Sequence, residues 1–134
     1  MIVDRAIYRD GVRAAEPRDL AAMRQVCQDG GGIAWIGLFQ PTAAEFADIA
    51  DEFDLHALAV EDASGAHQRP KRERYGDTLF CVLRPARYIE ESESVEFGEI
   101  HVFAGPNFVI TVRHSEASEL AHVRRGLESR PDLL

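Results

Sequence analysis

The run Ile33-Ala34-Trp35-Ile36-Gly37-Leu38-Phe39 most constrains how this chain can fold. It is almost unbroken in apolar character, and a strand of that kind has to be covered on both faces. The flanking segments supply the covering layers. Asp10-Gly11 marks a hairpin turn between short strands over 2–9 and 11–15. Pro17-Arg18-Asp19 opens a helix through Cys27, with Leu20, Met23 and Cys27 at helical spacing on one side. Gly30-Gly31-Gly32 closes that helix. A phosphate loop sets its glycines between a strand and the next helix N-terminus, where amides face the anion. Here the order is reversed, so the glycines read as a cap and a linker.

Pro41 and Thr42 open a second helix. Thr42 is its N-cap, and Glu45 three residues on completes a capping box. Phe46, Ile49, Ala50 and Phe53 form its core face, each phenylalanine contributing about 2 kcal/mol on burial. Glu45, Asp48, Asp51 and Glu52 fall on the solvated side. A short helix over about 56–63 carries Leu58 and ends near the acidic pair Glu61-Asp62. Pro70 forces Arg69 into an extended conformation, and strands follow over about 71–75, 78–88, 95–104 and 107–113. Residues 89–94 join the long pair as a solvated loop, and Gly105-Pro106-Asn107 makes a second tight connection. A closing helix over 117–129 places Leu120, Val123 and Leu127 on one side, and Pro131 stops it. This order predicts an α/β (αβα) fold: a mixed, largely antiparallel sheet flanked by helices on both faces.

The 134 residues are expected to form one domain, large enough to bury about two thirds of the unfolded surface. A formal net charge of −8 argues against nonspecific nucleic-acid binding and against charge-driven docking on an anionic membrane. It leaves room for cations. Cys27 and Cys81 lack the spacing of a zinc ribbon or redox pair and read as reduced thiols of a reducing cytosol. No apolar run approaches the ~18–20 residues of a membrane-crossing helix, and the first residues lack the pattern of a signal peptide.

Glu61 and Asp62 are the foremost candidates for chemistry. Two carboxylates at a helix C-terminus sit where the helix dipole already disfavours anions, and they invite a lysine, an arginine or a metal ion. Arg69-Pro70-Lys71-Arg72-Glu73-Arg74 carries four positive charges in six residues. Alternation along an extended chain sends Lys71 and Glu73 to one face and Arg72 and Arg74 to the other, so no nucleic-acid stripe forms and salt bridges are expected. His56, His67, His101, His114 and His122 show no zinc-site spacing and read as structural. Ser64, Ser115 and Ser118 lack a nucleophile elbow. Glu90, Glu91, Glu93, Glu96 and Glu99 read as the solvated tip of a hairpin. No catalytic constellation emerges, and the chain is not expected to be an enzyme.

The order Glu61-Asp62…His67-Gln68-Arg69-Pro70-Lys71 leading into an apolar strand resembles the N-terminal, cytoplasmic domain of the CorA family of magnesium and cobalt transporters. Trp35-Ile36-Gly37-Leu38 with Pro41, Val95-Glu96-Phe97-Gly98-Glu99-Ile100, and Gly105-Pro106-Asn107-Phe108 before Val112-Arg113-His114 extend the likeness over roughly 33–115. The resemblance implies the αβα architecture and a regulatory, cation-sensing role. Asp62 matches an aspartate that helps bind regulatory divalent cations between subunits, and Glu61 is its neighbour. The remaining ligands, one from a long stalk helix among them, would come from an adjoining subunit, so the site in this chain is partial and weak. The ion would be Mg²⁺, with Co²⁺, Ni²⁺ or Zn²⁺ as alternatives, because a zinc-transporting branch shares the architecture. The partners implied are other copies in a homopentamer, with no nucleic acid, at the cytoplasmic side of the inner membrane. Membrane attachment would come only through C-terminal helices not present here. The family's Gly-Met-Asn permeation motif is likewise not in this sequence. Two other readings stand beside this one: a free-standing soluble protein that binds partners or ligands, and a small hydrolase using a histidine and a carboxylate.

Overall fold

The computed structural model describes residues 1–15, 17, 19–65, 69–115 and 120–133. His67, Gln68, Ser118 and the first residues of the expected closing helix lie outside these. Strands β1 (Ile2–Arg9) and β2 (Val12–Ala15) form the expected hairpin. Asp10 and Gly11 both take positive φ, 52° and 79°, the combination that matches the twist of a two-residue hairpin. Helix α1 (Leu20–Gln28) is capped by the Asp19 carboxylate, which accepts from the Ala22 N–H at 2.7 Å. Gly30 follows it at φ 73°, as a helix-terminating glycine does. Strand β3 is Ile33–Phe39. Helix α2 (Ala43–Glu52) opens on the full capping box: the Glu45 N–H donates to Thr42 Oγ1 at 3.1 Å, and the Thr42 N–H donates to Glu45 Oε2 at 2.9 Å. Helix α3 is Ala57–Ser64.

The chain then runs through β4 (Lys71–Tyr75), β5 (Thr78–Leu83), β6 (Ala86–Ile89), β7 (Ser94–Phe97), β8 (Ile100–Ala104) and β9 (Phe108–Arg113). Helix α4 (Ala121–Glu128) and a short 3-10 turn, Pro131–Leu133, follow. Seven strands form one sheet in the order β2-β1-β3-β9-β8-β5-β4, with β6 and β7 as a separate ribbon. The β3–β9 pair is parallel and the other pairs are antiparallel, so the sheet is mixed and largely antiparallel as expected.

The period of two along β3 divides its side chains between two cores. Ala34, Ile36 and Leu38 join Met23, Phe46, Ile49, Phe53, Ala59, Phe80, Phe103 and Val112 beneath α1–α3. Trp35 points the other way, into a smaller cluster with Ala6, Tyr8 and Leu127 of α4. Both faces are covered, which is what the unbroken apolar run demanded.

Four local expectations are corrected. The strands read over 78–88 and 95–104 each break in two, at Arg84-Pro85 and Gly98-Glu99. Proline cannot donate to a ladder, and the Gly98 N–H donates to the Pro85 carbonyl at 2.7 Å where the β6–β7 ribbon parts from the sheet. Leu58 is 56% exposed, and α3 packs instead through Ala59 and Ala63. On α4 it is Arg124 that is buried while Val123 is exposed. The Arg124 guanidinium lies 4.4 Å from the Trp35 ring centroid and pairs with Asp4, so its charge is met while its stem packs. Finally, Glu99 is not part of a solvated tip: it is 5% exposed, at the start of central strand β8.

Candidate metal centre

The expected carboxylate pair lies on the last turn of α3, at the rim of the sheet. Glu61 is exposed. Asp62, with 30% of its side chain exposed, is ion-paired to Lys71 of edge strand β4. Lys71 Nζ also lies 3.1 Å from Glu73 Oε1, so one ammonium bridges two carboxylates. Alternation along β4 had placed Lys71 and Glu73 on one face, and the ion pair follows from it. Tyr75, two residues further on the same face, donates its hydroxyl to Glu73. The His56 ring stacks on Tyr75 at 4.3 Å, while His56 Nδ1 caps α3 by accepting from the Leu58 N–H at 3.1 Å.

This chain of contacts sets the local charge states. The Asp62 hydrogen bond, followed by that to Glu73, raises the Lys71 ammonium above its ordinary range. The Tyr75 hydroxyl and then Lys71 hold the Glu73 carboxyl below its usual range, and the Glu73 carboxylate pushes the Tyr75 phenol up. The donors at this rim are oxygen atoms close to solvent. Such a set fits a hard, partly hydrated cation, and Lys71 already occupies the place of the positive charge.

A second constellation lies inside the sheet, and sequence reasoning missed it. The β8–β9 register pairs His101 with Val112 and Ile100 with Arg113. The next residues outward, Glu99 and His114, are therefore opposite each other, and the His114 N–H donates to the Glu99 carbonyl at 3.1 Å. Glu99, His101 and His114 share the face that packs beneath α3. One ligand atom from each lies within 4.8 Å of the others, the only such group of three or more among the described residues. His101 Nε2 is 2.7 Å from Glu99 Oε2, and the His101 and His114 rings meet edge to face at 4.7 Å. His114 Nε2 is 3.1 Å from the Ala63 carbonyl at the end of α3. Arg84 Nη1 lies 3.7 Å from Glu99 Oε1. His101 is wholly buried; that burial lowers its imidazole pKa, against the opposing pull of Glu99. The available signal was the Glu-x-His alternation combined with a register counted outward from Gly105-Pro106-Asn107.

Among solved structures, the full-length CmaX protein superposes with a TM-score of 0.72 at 17% identity, over 96% of this chain and 39% of that one. The ZntB cytoplasmic domain from Vibrio parahaemolyticus gives 0.67 at 10% identity, over 97% of this chain and 50% of that one. The soluble domain of CorA from Methanocaldococcus jannaschii gives 0.61 at 12%, over 100% of this chain and 50% of that one. At these identities the likeness shows the fold alone, an αβα architecture shared with these proteins. A curated relative, “Putative metal ion transporter YfjQ” of Bacillus subtilis (strain 168), is 34% identical over 100 residues, 75% of this chain and 30% of that protein. The family model described as “CorA-like Mg2+ transporter protein” matches residues 30–133, and the chain belongs to that family. The family and this relative are described as transporters and not as enzymes. The chain spans about a third of the curated relative it matches. No helix among the described residues is long and apolar enough to cross a membrane.

Proposed function

We propose that this chain is the cytoplasmic regulatory domain of a CorA-like divalent cation transporter, biasing the gate through a cation held between subunits at Asp62, with Glu61 beside it. The observation that carries the reading is the state of Asp62. Its carboxylate is on the last turn of α3 with 30% of its side chain exposed, and its charge is balanced by Lys71 of its own chain. Asp62 and Glu61 offer oxygen donors, which suit Mg²⁺ retaining part of its water shell. A bound cation supplies positive charge between facing carboxylates. Asp62 then has two alternative counter-charges: Lys71 within the subunit, or an ion shared with the next copy of a homopentamer. Only the difference in ion affinity between the closed and open arrangements can move the gate. With few direct ligands and a lysine in competition, affinity is low, as sensing of an abundant cytosolic ion requires.

The test uses the full-length transporter and its inhibition by internal Mg²⁺. Asp62→Asn is expected to weaken that inhibition. Lys71→Met is expected to strengthen it by at most about fivefold, because an exposed ion pair is worth up to ~1 kcal/mol. Unchanged inhibition in Asp62→Asn overturns the assignment.

A further inference from the structure

We infer that Glu99, His101 and His114 form a buried binding site for a late first-row transition-metal ion of the Zn²⁺ or Co²⁺ class, separate from the rim carboxylates. Three observations converge on it. The three side chains sit on or next to two adjacent strands, His101 within β8, Glu99 just before it and His114 just after β9, with ligand atoms within 4.8 Å of one another. A tetrahedral ion with bonds of 2.0–2.1 Å needs its ligands about 3.3 Å apart, so side-chain adjustments of an ångström or so close the site.

Among the described residues, two buried polar atoms of the same cluster also have no hydrogen-bond partner: Glu99 Oε1 and His101 Nδ1. Buried polar groups are satisfied in the great majority of cases, and an unmet pair in one cluster calls for a ligand. Glu99 Oε2 and His101 Nε2 meanwhile lie 2.7 Å apart, a direct contact that an ion ligated by both groups would replace.

The third observation is access. His114 is half-buried and lines a cleft of about 70 Å³ with Pro41, Thr42, Phe46, Ala63 and Ser64, at the α2 and α3 ends. The cleft has room for a water or two beside the protein ligands.

The donor set decides the class of ion. Two imidazoles and one carboxylate suit Zn²⁺, Co²⁺ or Ni²⁺, whereas Mg²⁺ requires oxygen ligands and a retained water shell. Arg84 is the competing charge at Glu99 Oε1. Its side chain is 33% exposed and lies at 3.7 Å, beyond hydrogen-bond distance, so the ion competes with a loose pair.

The experiment is titration of the 134-residue chain with Co²⁺, followed by visible absorption, and with Zn²⁺, followed by calorimetry. One ion per chain is expected, with intense low-coordinate Co²⁺ bands that 10 mM Mg²⁺ (roughly a thousandfold excess) does not displace. Glu99→Gln and His114→Gln should each weaken binding by about tenfold or more. Asp62→Asn should bind as the parent does. A triple His56→Gln, His67→Gln, His122→Gln variant retains the other histidines and should also bind as the parent does. Circular dichroism melts confirm that each variant is folded. His114, at the edge of the cluster, serves as the decisive position if the interior Glu99 change unfolds the chain. The proposal is overturned by absence of saturable binding below about 100 µM, by His114→Gln binding like the parent, or by loss of binding in the triple variant.

Discussion

Asp62 and Glu99 are both carboxylates next to an opposite charge, yet they sit in different physical settings. Asp62 is at the rim, where water screens its ammonium partner and an exposed ion pair contributes little to stability. Glu99 is 5% exposed immediately before interior strand β8, and its partners are a buried imidazole and, at 3.7 Å, a guanidinium. In the interior, the worth of a polar group depends on whether each of its atoms is met. A solvated carboxylate can exchange one counter-ion for another at small cost, which suits a reversible sensor. A buried one holds its partners tightly and favours a ligand that completes the set.

The largest test of that contrast compares core with ribbon. Phe103 is fully buried and contacts both Phe46 and Phe80, with ring centroids 5.9 and 4.8 Å apart. It lies on the same β8 face as Glu99 and His101. Phe103→Ala is expected to cost about 3–5 kcal/mol in urea unfolding. Phe97→Ala, on the exposed β6–β7 ribbon where Phe97 is 60% exposed, is expected to cost under about 0.5 kcal/mol. Equal losses would show that the ribbon packs on something in solution and that the burial contrast is misdrawn.

A sharper test exchanges the carboxylates themselves. Glu99→Ala leaves a buried imidazole without its hydrogen-bond partner and opens a gap, so it should destabilise by about 3 kcal/mol. Asp62→Ala should stay within about 1 kcal/mol, because Lys71 keeps Glu73 and gains water. Matched losses at the two positions would remove the distinction between rim and interior on which both site assignments rest.

These two settings were not equally legible in the sequence. The rim was, in part: Glu61-Asp62 at a helix end invited a lysine, an arginine or a metal ion, and alternation set Lys71 and Glu73 on one face, although spacing did not say that Lys71 would meet Asp62. The capping box of Thr42 and Glu45, the Asp10-Gly11 turn and the double-faced burial of β3 were legible for the same reason. Each depends on residues within a turn or two of one another. The Glu99–His101–His114 cluster depends on the pairing of β8 with β9 and on β8 lying between β9 and β5. Local periodicity does not report that β8 is central, so Glu99 read as one of a run of solvated glutamates. For a related reason the burial of Arg124 was not legible. Arg124 is met by Trp35 and Asp4, which arrive from strands far away in the chain, whereas helical spacing grouped Val123 with Leu120 and Leu127.

The smallest expected effect concerns acid, and it tests the rim from within. Tyr75 and Lys71 hold the Glu73 carboxyl below its usual range, so its folded pKa lies under its unfolded value, ordinarily about 4.3. The unfolded chain therefore binds that proton first as the medium is acidified. The contribution of Glu73 is complete above its unfolded pKa and is lost as pH falls from there through the folded value. Lys71 and Tyr75 are shifted upward, so their contributions are complete below their unfolded pKa values and disappear at alkaline pH, as it rises through the folded ones. Urea unfolding at pH 6 and at pH 3.5 should show a shallower acid loss in Glu73→Gln than in the parent. The same variant should retain the parent's response between pH 6 and 8, where none of these three groups titrates. An unchanged acid slope in Glu73→Gln would mean that Lys71 spends its charge on Asp62 alone, and Asp62 would then be a harder carboxylate to free for a shared cation.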